Sequence, residues 1–414
     1  MAEPNNPLTY VALEETPANG VHVLQGQGNA LAIETGQGVV LVDAGPGRGR
    51  TGRMIETLRE RTSAPVHAIC YSHGHLGYNA GVPQWQQHAA ERGDPPPRLV
   101  AHDRLAARYR RYRETAPLQL RFAELQFRIP IGTLEGRLEI ADPTETFSES
   151  LTLTTLGRTV RLIWAPSETD DCIAVWLPDD GVLYGGAAVI GSIPNVGTPL
   201  RTLRDPVRWA DTLDRLAALD PRLVIREFGP SIEGREAVQL VLGQTAEALR
   251  WLRAEVVSRM NQGMNVVEIL HDIEYPPALF EQPWMAPVYG DPDFIVRDIF
   301  RSESGWWDRN PTQLHPAPSD AAASAVLSAI PDRGAVIERA QALADAGEVQ
   351  LALHVIDLLA LAPGDATELA TARGLKAEWL RALAEDAKSF VSKSLYLSSA
   401  NLIEKGTGGS IGIR

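Results

Sequence analysis

Cysteine, long apolar runs and positive charge are all scarce in this chain, and each shortage excludes something. Only two cysteines, Cys70 and Cys172, occur in 414 residues. That rules out a disulfide scaffold and a four-cysteine zinc site, and two free thiols suit a reducing compartment. No stretch approaches the roughly 18 uninterrupted apolar residues that read as a membrane span. The opening Met1-Ala2-Glu3-Pro4-Asn5-Asn6-Pro7 lacks the basic-then-apolar pattern of a secretion signal, so the expected location is the cytoplasm. Basic residues number 39 against 52 acidic ones, a formal net charge of -13. Nucleic acid and anionic lipid both require a basic footprint, so neither is an expected partner. A small anionic substrate is compatible with this charge, because a few local cations suffice to hold it.

What is present is globular: 44% apolar and 22% charged residues, over a length that suggests two or three domains. Residues 28–35 and 39–43 read as two strands of a hairpin around Gly36-Gln37-Gly38. Residues 48–61 have helical spacing, with Met54, Ile55 and Leu58 on one face. A short apolar strand at 66–71, a helix after Gly81, a strand at 98–101 and a basic helix near 103–113 follow. Strand signals return over 149–184, then an amphipathic helix at 206–219 and a strand at 223–225. Hairpins first, then alternating strands and helices, predict a layered α/β sandwich. After residue 233 the pattern is helical, at 235–260, 266–272 and 321–404 with a gap at Pro363-Gly364-Asp365. The expected domains are therefore 1–250, α/β and carrying the chemistry, and 251–400, all-helical, with a flexible tail at 401–414.

The most informative segment is Tyr71-Ser72-His73-Gly74-His75-Leu76-Gly77-Tyr78-Asn79-Ala80-Gly81. Two histidines one residue apart, between a strand end and a helix, can turn both imidazoles onto one metal ion. The glycine between them removes side-chain crowding. The plain alternative is two loop histidines with no metal, since short motifs match often by chance.

This segment resembles the His-x-His-x-Asp-His loop of the metallo-β-lactamase superfamily, and Val40-Leu41-Val42-Asp43-Ala44-Gly45 is similar to that family's preceding strand ending in Asp. The resemblance implies an αββα metallo-β-lactamase sandwich, with Asp43 supporting the ligand imidazoles from behind. A closer resemblance is to the linear alkylsulfatases. Ser167-Glu168-Thr169-Asp170-Asp171 looks like their Thr-Glu segment, which supplies a metal carboxylate. Asn195 and Thr198 resemble an Asn-x-x-Thr stretch before a sulfate-binding arginine, for which Arg201 is the nearest candidate, one place further along. Arg259-Met260-Asn261-Gln262-Gly263-Met264 with Glu268-Ile269, and above all Gly305-Trp306-Trp307-Asp308-Arg309-Asn310-Pro311-Thr312, are similar to segments leading into and within the family's helical dimerisation domain. The resemblance implies a homodimer through that domain. It stops short of the family's final sterol-carrier-like domain, which suggests a smaller or more polar substrate than a long alkyl chain.

The departures are concentrated. The family's Asp-His reads Gly77-Tyr78 here, its bridging Glu falls on Ala187, and its late His falls on Glu227 or Phe228. These losses remove one metal's ligands and the bridge, and leave His73, His75 and Glu168 as the set of the other. The resemblance thus implies a mononuclear site. Two histidines and one carboxylate with zinc make a hydrolytic centre that lowers the pKa of bound water to about 7. The same ligands with iron(II) form the facial triad of oxygen chemistry. Tyr78 is a candidate proton or hydrogen-bond donor, or else cavity filling. Asp171, with Asp170, is a candidate base, or else an ordinary loop acid. Arg201 is a candidate anion clamp, or else a solvated charge. Cys172 reads as buried small apolar side chain. His22, His67, His88, His102, His271, His315 and His354 lack partners at ligand spacing and read as structural. Three readings stay open: a mononuclear hydrolase of a sulfate ester or similar anion, an iron-dependent oxygenase or lyase, and a non-catalytic descendant of an enzyme.

Overall fold

A computed structural model describes residues 16–409. One compact unit contains two six-stranded sheets. The first sheet is Val21–Gln25 (β1), Asn29–Thr35 (β2), Gly38–Val42 (β3), Val66–Cys70 (β4), Arg98–His102 (β5) and Glu145–Phe147 (β6), in that spatial order. β1, β2 and β3 pair antiparallel, and β3 through β6 pair parallel. Parallel neighbours need crossovers. Arg48–Arg61 (α1) and Val82–Arg92 (α2) supply two, and Leu105–Glu114 (α3) and Ala116–Gln126 (α4) lie between β5 and β6.

The second sheet is Ser150–Thr154 (β7), Val160–Trp164 (β8), Ile173–Leu177 (β9), Val182–Gly186 (β10), Leu223–Arg226 (β11) and Ile232–Glu233 (β12). Only β10 and β11 pair parallel, joined through Pro206–Ala217 (α5). Asp205 starts α5 by accepting from the backbone N–H groups of Val207 and Arg208, with Pro206 in the first turn, where no amide hydrogen is needed. Arg235–Asn261 (α6), Val266–Asp272 (α7), Pro277–Phe280 (α8) and Pro292–Ser304 (α9) follow.

Strand alternation explains the layers. Leu31, Ile33, Val40 and Val42 join Leu162, Val175, Tyr184 and Ile225 in a core between the sheets. Their neighbours Ala30, Ala32, Val39 and Leu41 point the other way, onto Met54, Leu58, Trp85 and Leu105 of α1, α2 and α3. On the far face of the second sheet, Ala174, Leu183 and Val224 meet Trp209, Leu213, Val238, Leu242 and Leu249 of α5 and α6. The result is an αββα sandwich. The two fully buried tryptophans each find an acceptor: Trp85 donates to the Ala44 carbonyl at 3.0 Å and Trp209 to the Ala188 carbonyl at 2.9 Å. Both carbonyls lie in loops that leave strand ends, so helix packing fixes those loops.

The other unit is helical: Ser319–Ser328 (α10), Arg333–Asp345 (α11), Val349–Ala360 (α12), Thr367–Asp386 (α13) and Phe390–Glu404 (α14). Its core includes Ala340, Ile356, Leu359, Ala372, Trp379 and Ala400. The compact units divide differently from the expected boundary at 250. The sandwich unit takes residues up to Ala116 and from Arg137 to Glu303, and the helical unit takes Pro117–Gly136 and the chain from Ser304. The reason is packing: Leu249, Leu252 and Val256 of α6, and Ile295 and Ile299 of α9, share the core of the second sheet. The change from strand to helix in the sequence thus comes before the division between these compact units. The expected flexible tail begins inside α14, and Ser410–Arg414 lie outside the described residues.

Candidate metal centre

β8, β10 and β11 run in one direction, and the residues that follow them meet the residues that follow β3 and β4. That end of the sandwich gathers Asp43, His73, His75, Glu168 and Glu227. Strand carboxyl ends are where α/β sheets place their ligands.

Asp43 closes β3 with a left-handed φ of 63°, and its Oδ1 accepts from the Ser72 backbone N–H at 2.8 Å and from Asn79 Nδ2 at 3.0 Å. Both ends of the histidine loop are thereby tied to one carboxylate. Burial pushes the Asp43 carboxyl up to about 6, although hydrogen bonds from Ser72 and Asn79 oppose the shift. Ser72 Oγ lies 2.9 Å from His73 Nδ1, which orients that ring and leaves Nε2 to face the site. His73 Nε2 is 2.9 Å from His75 Nδ1, and His75 Nδ1 is 3.5 Å from Glu168 Oε2. A Cβ at Gly74 would stand 2.7 Å from Arg108 Cδ and 2.8 Å from Leu105 Cδ1, so any side chain here would push Arg108 or Leu105 aside. Asp171 grips the same loop. Its Oδ2 accepts from the Gly74 backbone N–H at 2.7 Å, and its Oδ1 from Arg108 Nε at 2.5 Å.

Glu168 is presented through one oxygen. Its Oε1 accepts from Asn195 Nδ2 at 2.9 Å and lies 3.1 Å from Arg204 Nη1, which leaves Oε2 toward the histidines. Burial works against ionisation, yet the charge of Arg204 and the hydrogen bond from Asn195 hold the carboxyl below its ordinary range. Burial lowers the His73 imidazole to about 4, and burial also holds His75 well below its ordinary value. Two neutral imidazoles and one ionised carboxylate are the protonation states a divalent ion requires. His73, His75 and Glu168 are the group that can hold a metal ion among the described residues. Cys172 stays outside it, its thiol pushed up to about 12 by burial and its sulfur 3.0 Å from Thr169 Oγ1.

The other expected site residues differ in how they are placed. Tyr78 is at the centre: its ring packs 4.3 Å from that of His73, and its hydroxyl donates to Glu227. Asn195 is present but committed to Glu168, with its own Oδ1 buried and without a hydrogen-bond partner. Thr198 is buried, and its backbone hydrogen-bonds Asp298. Arg201 lies in the electrostatic neighbourhood of Tyr289, Arg204 and Glu168, and donates to the Leu200 carbonyl at 3.0 Å. Asp171 sits on Gly74 and Arg108, as above.

Three participants were not singled out from the sequence. Arg204 and Arg108 lie in stretches that carry other arginines, and no spacing distinguishes them. Tyr289 is brought near Arg201 and Glu168, and burial pushes its phenol up to about 12. Of the two positions suggested for the lost late histidine, Glu227 faces the site, with its Oε1 4.0 Å from His73 Nε2. Burial, reinforced by the charge of Glu168, raises the Glu227 carboxyl well above its ordinary range, and Tyr78 stays a neutral phenol for similar reasons. Ala187, after β10, is buried and offers no ligand.

The sandwich with a His-x-His loop at its strand ends defines an αββα class of protein, and comparison with known proteins finds two matching families. Residues 23–226 match the metallo-β-lactamase superfamily, and residues 265–406 match the alkyl sulfatase dimerisation family. A linear primary-alkylsulfatase of a Pseudomonas species is 27% identical over 400 residues, covering 92% of this chain and 75% of that enzyme. An alkyl/aryl-sulfatase of Saccharomyces cerevisiae is 26% identical over 249 residues, 58% of this chain and 37% of the yeast protein. The solved stereoselective inverting sec-alkylsulfatase Pisa1 of a Pseudomonas species superposes with a TM-score of 0.83 at 19% identity, over 95% of this chain and 65% of that one. The chain thus carries a metallo-β-lactamase superfamily domain followed by an alkyl sulfatase dimerisation domain, and it is similar to alkylsulfatases over most of its length. It spans from about a third to three quarters of the length of these relatives. Among the described residues no helix is long and apolar enough to cross a membrane.

Proposed function

We propose that this chain is a mononuclear metal-dependent hydrolase acting on a sulfate ester or a similar small anionic substrate. The observation that supports this most is the convergence of His73 Nε2, His75 Nδ1 and Glu168 Oε2, while Gly77, Tyr78, Ala187 and Glu227 stand where the resemblance puts the other metal's ligands. The residues fit a divalent ion: two neutral nitrogens, one ionised oxygen and a supporting layer behind each. Zinc suits this set best and iron second. Such an ion supplies an activated water and polarises an oxygen of the substrate.

The chain's own groups then divide the work. Ser72 orients His73. Asn195 and Arg204 turn Glu168. Asp43 and Asp171, with Arg108, hold the loop in register; Asp171 in this reading braces the site and does not abstract a proton. Arg201, with Arg204, supplies positive charge for an anionic group, and Tyr289 lies near Arg201. Tyr78 holds its hydroxyl proton beside His73, where a departing oxygen can accept it once substrate displaces Glu227 as acceptor. A second copy is the partner proposed for the helical unit, where Trp306, Leu351 and Leu358 are exposed apolar side chains.

The test is metal analysis of the purified full chain, followed by assay of the reconstituted protein on a panel of short-chain sulfate esters. About one zinc per chain with ester hydrolysis supports the reading. One iron with no hydrolysis overturns it in favour of oxygen chemistry. Absence of metal after reconstitution overturns it in favour of a non-catalytic protein.

A further inference from the structure

Glu227 is more than a substitute for a missing histidine. Its backbone is clamped from two sides: the Asn29 N–H donates to its carbonyl at 2.7 Å, and its own N–H donates to the Val189 carbonyl at 3.1 Å. Asn29 Nδ2 also binds the carbonyls of the flanking Arg226 and Gly229. The side chain is therefore aimed, not loose, and it is 1% exposed. One oxygen accepts from Tyr78 and stands 4.0 Å from His73 Nε2, and the other is buried without any hydrogen-bond partner. A carboxyl kept only to hold a tyrosine hydroxyl has no use for a bare second oxygen inside the protein, because a buried acceptor without a donor is a net cost. A cation removes that cost. Atoms bound to one ion at about 2.0–2.2 Å stand roughly 3–4 Å apart. The Glu227-to-His73 separation is in that range, but Glu227 lies outside the trio's 4.8 Å spread, so its side chain must close on the ion as the ion binds.

We propose that Glu227 is a fourth protein ligand of the ion held by His73, His75 and Glu168. This rests on the single-ion reading of the site. Glu227 stands just outside the compact trio and meets it at His73. The site then carries two imidazoles and two carboxylates, a set richer in oxygen than a two-histidine, one-carboxylate site. Oxygen donors favour harder ions, so Glu227 raises the affinity for Mn2+ relative to Zn2+. Tyr78 acts as a positioning residue: its O–H fixes the rotation of the carboxylate, as outer hydrogen bonds do for other metal ligands.

The experiment titrates the metal-free full chain with Zn2+ and with Mn2+ against a chromophoric chelator, comparing wild type, Glu227→Gln, Tyr78→Phe and His73→Ala. The expected result is a loss of at least about tenfold in Mn2+ affinity for Glu227→Gln, with a smaller loss for Zn2+ and for Tyr78→Phe. Wild-type affinity for both ions in Glu227→Gln, with binding lost in His73→Ala, overturns the proposal and leaves the three-ligand site intact. Wild-type affinity in His73→Ala as well overturns both. If Glu227→Gln does not fold, a Zn2+-soaked crystal of the wild-type chain decides. A Glu227 oxygen at bonding distance supports the assignment, and one more than about 3 Å from the ion refutes it.

Discussion

Replacing Arg204 with methionine strands the Glu168 carboxylate inside the protein. The pair is close and shielded: Arg204 Nη1 lies 3.1 Å from Glu168 Oε1, with side chains 6% and 12% exposed. Removing one partner of such a pair costs about 3–5 kcal/mol. Asn195 still donates to the same oxygen at 2.9 Å, and Glu168 can take up a proton, so the lower end, about 3 kcal/mol, is expected. Glu168→Gln combined with Arg204→Met removes both charges and leaves neither stranded, so the double variant recovers much of the loss. The expected coupling is about 2 kcal/mol or more. The assay is urea unfolding of the metal-free chain, read by fluorescence of the buried Trp85 and Trp209, with the sandwich transition fitted separately from any helical one. The pH dependence has a fixed sign. The folded-state carboxyl lies below the ordinary glutamate value, so its contribution is complete above that value and disappears as the pH falls through the folded one. Arg204→Met should therefore lose less stability on acidification than wild type. Additive single-variant losses, with coupling within about 0.5 kcal/mol, would refute the claim that Arg204 holds this ligand.

Three further outcomes are expected. His73→Ala and Glu168→Ala should lose metal retention on gel filtration, whereas His271→Ala should keep it; equal retention in all three contradicts the ligand assignment. Asp43→Asn should stabilise the metal-free chain above about pH 6, by at most about 3 kcal/mol. The folded pKa is raised, so the penalty of the charged carboxylate is complete above it and shrinks as the pH falls toward the ordinary aspartate value. A variant advantage that grows on acidification contradicts this. Leu351→Glu with Trp306→Ser should convert the chain to a monomer in sedimentation equilibrium, while an unchanged mass puts the assembly elsewhere.

Most of the sandwich was legible because its strands are short apolar runs bounded by turn residues and its helices carry one apolar face. Arg48–Arg61 and Val266–Asp272 fall where the sequence reading puts them, and Val82–Arg92 starts directly after Gly81 as expected. Strands β6 and β12 are three and two residues long, too short for any pattern to register. The course of residues 117–136 into the helical unit could not be read either, because local sequence carries no trace of which core a helix joins. In the site, adjacency decided what was visible. His73 and His75 announce themselves by spacing, and Glu168 only through resemblance. Arg204, Arg108 and Tyr289 act across distances that sequence order does not encode. Tyr78 and Glu227 were each visible as a departure from a family pattern; their hydrogen bond to each other was not, since 149 residues separate them.

The proposed chemistry requires one cation per chain, held between the histidine loop and Glu168. Anomalous scattering from a crystal of the metal-loaded protein, recorded on both sides of the zinc and iron edges, tests this directly. The prediction is a single peak within bonding distance of His73 Nε2, His75 Nδ1 and a Glu168 oxygen. Two peaks, or one peak away from those atoms, would contradict it.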